Sequence, residues 1–268
     1  MKHVARKRFG QNFLTDQSVL HDIIAAIAPK PDDRMVEIGP GLGAMTRLLL
    51  ESLHHLHVVE LDRDLVQRLL RQFDPAKLTV HSGDALQFDF GTLLAAEDDA
   101  IPDSARRLRV VGNLPYNISS PLLFHLTRFA NVVRDQHFML QKEVVERMVA
   151  EPGSKAYGRL SVMLQWCYRM AMLMVVPPTA FDPPPKVESA IVRMIPLDQR
   201  MQCDQALLER VVTQAFSQRR KVLRNCMSGL LSVEQIVAAG VDPQARPETI
   251  PVAGFVALAK RLESATAA

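Results

Sequence analysis

The 268-residue sequence predicts a Rossmann-like α/β domain over 1–197, a parallel sheet with helices on both faces, and a small all-helical domain over 198–268. Three observations carry this expectation. Short apolar runs ending in glycine or an acidic residue recur through the first two thirds of the chain. Amphipathic helical stretches separate them, which is the alternation that builds parallel sheets. Beyond Asp198 only helical patterns remain.

Taken in order, Asp16 is placed to cap a helix running through about Ala28, with Val19, Leu20, Ile23, Ile24 and Ile27 on one face. The strand candidates are MVEIG at 35–39, HVVEL at 57–61, LTVHSGD at 78–84, RVVGN at 109–113 and HFMLQ at 137–141. Helical stretches fall near 44–53, 62–73, 120–129 and 142–150, and the acidic stretch 95–105 reads as a loop. An amphipathic segment at 159–169 precedes the apolar run Ala171 to Val176, and Met163, Met170, Met172 and Met174 read as core filler. A proline cluster then spans Pro177 to Pro185, and ESAIVRMIP at 188–196 alternates like an edge strand. Helices are expected at 204–216, 219–229, 232–239 and 252–263, punctuated by Gly240 and Pro243.

A hydrophobic content of 48% against 23% charged excludes global disorder. Cys167, Cys203 and Cys226 have neither metal-ligand nor redox spacing, so a reducing, cytoplasmic setting without a metal is expected. The basic start leads into no apolar signal region, and no apolar run approaches the roughly 18 residues of a membrane span. Net charge is only +3, but basic residues gather at Lys2, Arg6, Lys7 and Arg8 and again at Arg219, Arg220, Lys221 and Arg224. Two such foci suit a polyanion bound across a surface, but on charge alone two solvated faces are the preferred reading.

Gly39-Pro40-Gly41-Leu42-Gly43 lies where a strand turns into a helix, so the backbone can turn sharply and a ligand can approach closely. Gly39, Gly41 and Ala44 also satisfy the dinucleotide pattern, so a nicotinamide enzyme and a turn without ligand both remain open. Glu60 ends the next strand about 20 residues on, where a carboxylate accepts ribose hydroxyls. Asp62 suits a helix cap better than that role. Asp84 ends the third strand at the same sheet edge, so an adenosine-containing cofactor is expected there.

Asn113-Leu114-Pro115-Tyr116 decides the chemistry. The exocyclic amine of adenine is a poor nucleophile because its lone pair is delocalised into the ring. Two acceptors on its hydrogens free that lone pair, and the Asn113 side-chain oxygen and the Leu114 carbonyl are the candidates. Pro115 biases Leu114 towards an extended conformation that aims the carbonyl. Tyr116 offers a face on which a flipped base stacks.

GNLPYNIS, with VEIGPGLG, VVELD and SGDAL, resembles the rRNA adenine N6,N6-dimethyltransferases, a branch of the class I S-adenosylmethionine-dependent methyltransferases. The resemblance extends to FGQNFL at 9–14, FMLQKEVVERMVA at 138–150, SKAYGRLSV at 154–162, FDPPPKVESAIVR at 181–193 and AFSQRRKVLRN at 215–225. It implies S-adenosylmethionine as methyl donor, with Asn12 and Leu14 closing over it, Gly39 at its methionine part, Glu60 at the ribose and Asp84 at the adenine. Asn113 would lie beside both the transferable methyl and the target amine, with Phe181 as the second wall of the base slot opposite Tyr116. Leu114, Phe181, Arg219, Arg220 and Lys221 are then substrate contacts. The substrate implied is 16S rRNA in the small ribosomal subunit or its precursor, with the enzyme acting as a monomer and without a membrane. A large-subunit rRNA adenine methylase and an rRNA-binding assembly factor are the competing readings.

Overall fold

The computed structural model describes residues 12–94, 107–218 and 220–266. The chain divides into two compact units, Met1–Val145 with Ala171–Pro196, and Glu146–Met170 with Leu197–Ala268. The sequence pattern places one cut near 197. In three dimensions the segment 146–170 groups with the helical unit instead.

In chain order the elements are β1 (Phe13–Leu14), α1 (Gln17–Ile27), β2 (Met35–Ile38), α2 (Ala44–Ser52), β3 (Leu56–Glu60), α3 (Arg63–Gln72), β4 (Leu78–Ser82), β5 (Leu108–Asn113) and α4 (Ser119–Leu126). They continue with β6 (Val133–Gln141), α5 (Lys142–Met148), α6 (Arg159–Gln165), β7 (Tyr168–Val176), β8 (Phe181–Asp182) and β9 (Ser189–Pro196). The helices α7 (Gln205–Ala215), α8 (Leu223–Cys226), α9 (Val233–Ala238) and α10 (Val252–Thr266) complete the second unit. The expected loop at 95–105 and the basic arm lie outside the described residues.

The main sheet has the order β4-β3-β2-β5-β6-β9-β7. From β4 to β6 all neighbours run parallel, whereas β6 and β9 are antiparallel. The chain therefore leaves β2 towards β3 and β4, then returns to lay β5 on the other side of β2. That reversal makes a crevice at the carboxyl ends of β2 and β5. Buried on both faces, β2 and β5 carry short apolar runs broken by Glu37 and Arg109.

Capping follows the sequence. The Asp16 carboxylate accepts the backbone N–H groups of Ser18 and Val19, and Leu20, Ile23 and Ile27 turn into the core. Asp62 caps α3 by accepting from the Asp64 N–H.

Three expectations change. The strand at 188–196 is not an edge: β9 lies between β6 and β7, with Ala190, Ile191, Val192 and Met194 buried. The edge is β7, so Met172, at 40% exposure, is a surface residue rather than core filler. The helix expected at 219–229 shrinks to α8, with Arg220 and Lys221 exposed in the turn before it. The like charges of Arg220 and Arg224, four residues apart, disfavour a longer helix there.

Strand β6 begins four residues before its apolar run, and there Asp135 and Gln136 are polar yet buried. Asp135 is neutralised by Arg109, whose Nε and Nη2 donate to it at 2.9 and 3.1 Å. Arg109 Nη1 donates to Asp33 at 2.6 Å, and Nη2 to the Ile27 carbonyl at the end of α1 at 2.6 Å. Pairing lets these charges sit in the interior.

Candidate active site

The crevice holds a cavity of about 510 Å³ within the first unit. That is the size of a small-molecule site. Its walls bring together Asn12, Leu14, Gly39, Glu60, Asp84, Asn113, Leu114 and Tyr116, residues drawn from separate stretches of sequence.

The glycines divide by function. Gly39 has φ +66°, and a Cβ there would face the Asn113 carbonyl oxygen at 3.8 Å, so this turn runs beside the end of β5. Gly43 has φ +80°, and its Cβ would strike the Phe73 ring at 2.8 Å, so this glycine serves helix packing.

Backbone N–H groups hold Glu60. One carboxylate oxygen accepts the Asp62 N–H at 2.8 Å and the other the Gly41 N–H at 3.3 Å. Burial pushes its pKa above the ordinary carboxylate value despite those bonds. Asp84 accepts the Leu86 N–H at 2.9 Å. Leu61, 49% exposed, adds an apolar surface to the cavity wall.

Glu37 is a residue that sequence reasoning misses, although an acid within the apolar run MVEI is a signal. It is 2% exposed and lines the cavity, with the Thr46 hydroxyl donating to it at 2.6 Å. Burial raises its pKa from 4.5 to about 8, the Thr46 bond opposes this, and the Glu60 charge adds to it. Between those two values the folded chain holds a proton that the unfolded chain has released, so stability falls as pH rises across that interval. Glu37→Gln removes the dependence. Its stability relative to wild type is expected to grow from about pH 5 to about pH 8 and then level off. Thermal midpoints of the ligand-free proteins check this; a difference that does not vary with pH contradicts it.

Asn113 donates its Nδ2 to the Asn12 carbonyl at 3.1 Å. That bond fixes the amide and leaves Oδ1 as the acceptor it presents. Leu114 anchors the turn: its side chain is 1% exposed and its N–H donates to the Met139 carbonyl at 3.1 Å. The Tyr116 hydroxyl pairs with the Ser189 hydroxyl at 2.7 Å, and the Tyr116 carbonyl accepts from Ser119 Oγ at 3.0 Å. Burial raises the phenol's pKa, so the ring stays neutral.

Other residues singled out in the sequence lie elsewhere. Phe181 does not line the cavity; it is 4% exposed, pairs with Leu14 between β1 and β8, and packs in the core with Met139 and Ile191. Arg220 and Lys221 belong to the second unit, and Arg219 falls outside the described residues. Among the described residues no cluster of side chains suited to a metal ion occurs. Among them, too, no helix is long and apolar enough to cross a membrane.

The chain matches the family described as Ribosomal RNA adenine dimethylase over residues 2–264. It is 69% identical to the Ribosomal RNA small subunit methyltransferase A of Janthinobacterium sp. (strain Marseille), covering 98% of this chain and 100% of that protein. With the protein of the same name from Chromobacterium violaceum the identity is 56%, covering 97% of each. Among solved structures, a dimethyladenosine transferase from Plasmodium falciparum superposes with a TM-score of 0.73 at 24% identity, over 92% of this chain and 95% of that one. The 23S rRNA methyltransferase ErmE gives 0.65 at 23% identity, over 94% and 100%. At these identities the two structures speak for the fold alone.

Proposed function

The chain belongs to the ribosomal RNA adenine dimethylase family, and from that premise we propose that it transfers methyl groups from S-adenosylmethionine to N6 of two adjacent adenosines near the 3′ end of 16S rRNA. The product is N6,N6-dimethyladenosine, made during small-subunit biogenesis. The observation that carries this reading is the Asn113–Asn12 hydrogen bond in the wall of a cavity that also holds Glu60 and Asp84. The small-subunit substrate is favoured over the large-subunit one by relatives of that name that match 98% of the chain.

The residues present fit the donor. Glu60 and Asp84 are acceptors at the ends of adjacent strands, suited to ribose hydroxyls and an adenine amine. Gly39 admits a chain close to the backbone, and Asn12 and Leu14 line the same cavity. When bound, the donor supplies an already activated sulfonium methyl. Asn113 Oδ1 and the Leu114 carbonyl accept the N6 hydrogens of the target adenine, which frees the nitrogen lone pair. Tyr116, fixed by Ser189, provides the stacking face. Phe181 lies buried beside Leu14, and its role as the second wall of the base slot opposite Tyr116 stays part of this proposal.

Replacing Glu60 or Asp84 by alanine is expected to weaken donor binding by about 1.5–3 kcal/mol each, the range for hydrogen bonds to a charged group. Calorimetric titration checks it, and unchanged affinity in both variants contradicts the assignment. Arg219, Arg220 and Lys221 are assigned to the RNA backbone, which positions without reading sequence. Neutralising them is expected to flatten the fall of RNA affinity with salt while sparing donor affinity. Coincident salt slopes would return the cluster to a solvated face.

A further inference from the structure

His137 is, with Glu37, a buried polar side chain of the cavity wall that the proposed reaction leaves unused. It is 3% exposed, and neither ring nitrogen has a hydrogen-bond partner among the described residues. The nearest charge, Asp135, lies 3.8 Å from Nδ1, too far for a hydrogen bond, and is already engaged by Arg109. Desolvation lowers the His137 pKa to about 4, the Arg109 and Arg193 charges add to that, and Asp135 opposes it. The ring is therefore neutral near pH 7. A buried imidazole without partners costs free energy unless something in the cavity completes it.

Register shows what it faces. Glu37 pairs with Val111, and Val111 with His137, so Glu37 and His137 occupy one row across β2, β5 and β6. Two strand spacings of about 4.8 Å separate their backbones. In register this row lies two positions before Asn113, and Leu20 and Ile23 of α1 line the same cavity. Along the strand order the proposed donor contacts run from Asp84 after β4, to Glu60 on β3, Gly39 after β2 and Asn113 on β5. The zwitterionic amino-acid end of the donor has only the backbone at Gly39 beside it, with no side chain yet assigned to its charges. The row left without a ligand group offers one acceptor, Glu37, and one neutral imidazole.

We propose that His137 is a further donor-binding residue, its ring N–H holding the carboxylate of the donor's amino-acid end while Glu37 takes the ammonium; this rests on the donor reading above. Neutrality is what the role needs, since the ring then donates without adding a buried charge beside Arg109.

The test compares S-adenosylhomocysteine with 5′-methylthioadenosine, which lacks the amino-acid end, by calorimetric titration. The proteins are wild type, His137→Phe, which keeps a ring and removes both nitrogens, and His137→Leu. Affinity for S-adenosylhomocysteine is expected to fall about tenfold or more in both variants, while that for 5′-methylthioadenosine stays within about twofold. Because neither nitrogen is bonded inside the described protein, the ligand-free thermal midpoint is expected to hold or rise. Equal losses for the two ligands, or no loss for either, overturn the proposal. Wild type that binds neither ligand overturns the donor reading itself, before His137 comes into question.

Discussion

Asn113→Ala is expected to lower single-turnover methyl transfer about 100- to 1,000-fold at saturating donor, the range seen when one preorganised hydrogen-bond group is removed from a reacting centre. The fold and RNA affinity are expected to persist, because the side chain's described hydrogen bond is the one Nδ2 makes to the Asn12 carbonyl. The size of the effect follows from the chemistry. Adenine N6 attacks only when its lone pair is withdrawn from the ring, and the alanine removes one of two acceptors that do this. Asn113→Asp separates geometry from charge, since it keeps an acceptor but cannot donate to Asn12. Near-normal single-turnover rates for Asn113→Ala would remove Asn113 from the reacting centre.

Arg109→Ala carries the largest expected effect on stability, about 3–5 kcal/mol, because truncating one member of a buried ion network leaves its partners unpaired. Arg109 bonds to Asp33, to both oxygens of Asp135 and to the Ile27 carbonyl. Its loss leaves the buried Asp135 without its cation and takes one partner from the end of α1 and from Asp33, which keeps the Lys30 N–H and Arg134. Arg134, whose side chain is 45% exposed, also contacts Asp33 at 3.1 Å. Exposed pairs contribute little, so Arg134→Ala is expected to cost less than about 1 kcal/mol. Urea denaturation of the two variants checks the contrast. Equal costs would mean that the Arg109 network does not organise the base of the sheet.

The part of the fold legible in sequence is the part where one rule dominates. Strands β2, β3 and β5 are apolar runs stopped by glycine or a polar residue, and the residues that stop them face the cavity. Asp16 and Asp62 announce their helices because the caps are local. What the sequence hides depends on partners distant along the chain. The start of β6 looks polar until Arg109 is placed against Asp135. Met172 looks like core until β7 becomes the sheet edge. The acid within MVEI is a local signal, but only the neighbouring strands place Glu37 and His137 on the cavity wall. Asn12 is reachable only through the family resemblance, since its contact with Asn113 joins residues 101 apart. Phe181 shows the converse. An aromatic beside a proline cluster fits a base slot as well as a core, and only β1–β8 pairing places it in the core.

The most direct measurement is mass spectrometry of nucleotide fragments from small-subunit ribosomal RNA that lacks the modification, after incubation of its ribosomal particles with the purified protein and isotope-labelled S-adenosylmethionine. Two neighbouring adenosines near the 3′ end, each carrying two labelled methyl groups on N6, are the expected result. Label confined to large-subunit RNA, label on an atom other than adenine N6, or no transfer by a protein that binds both donor and RNA would contradict it.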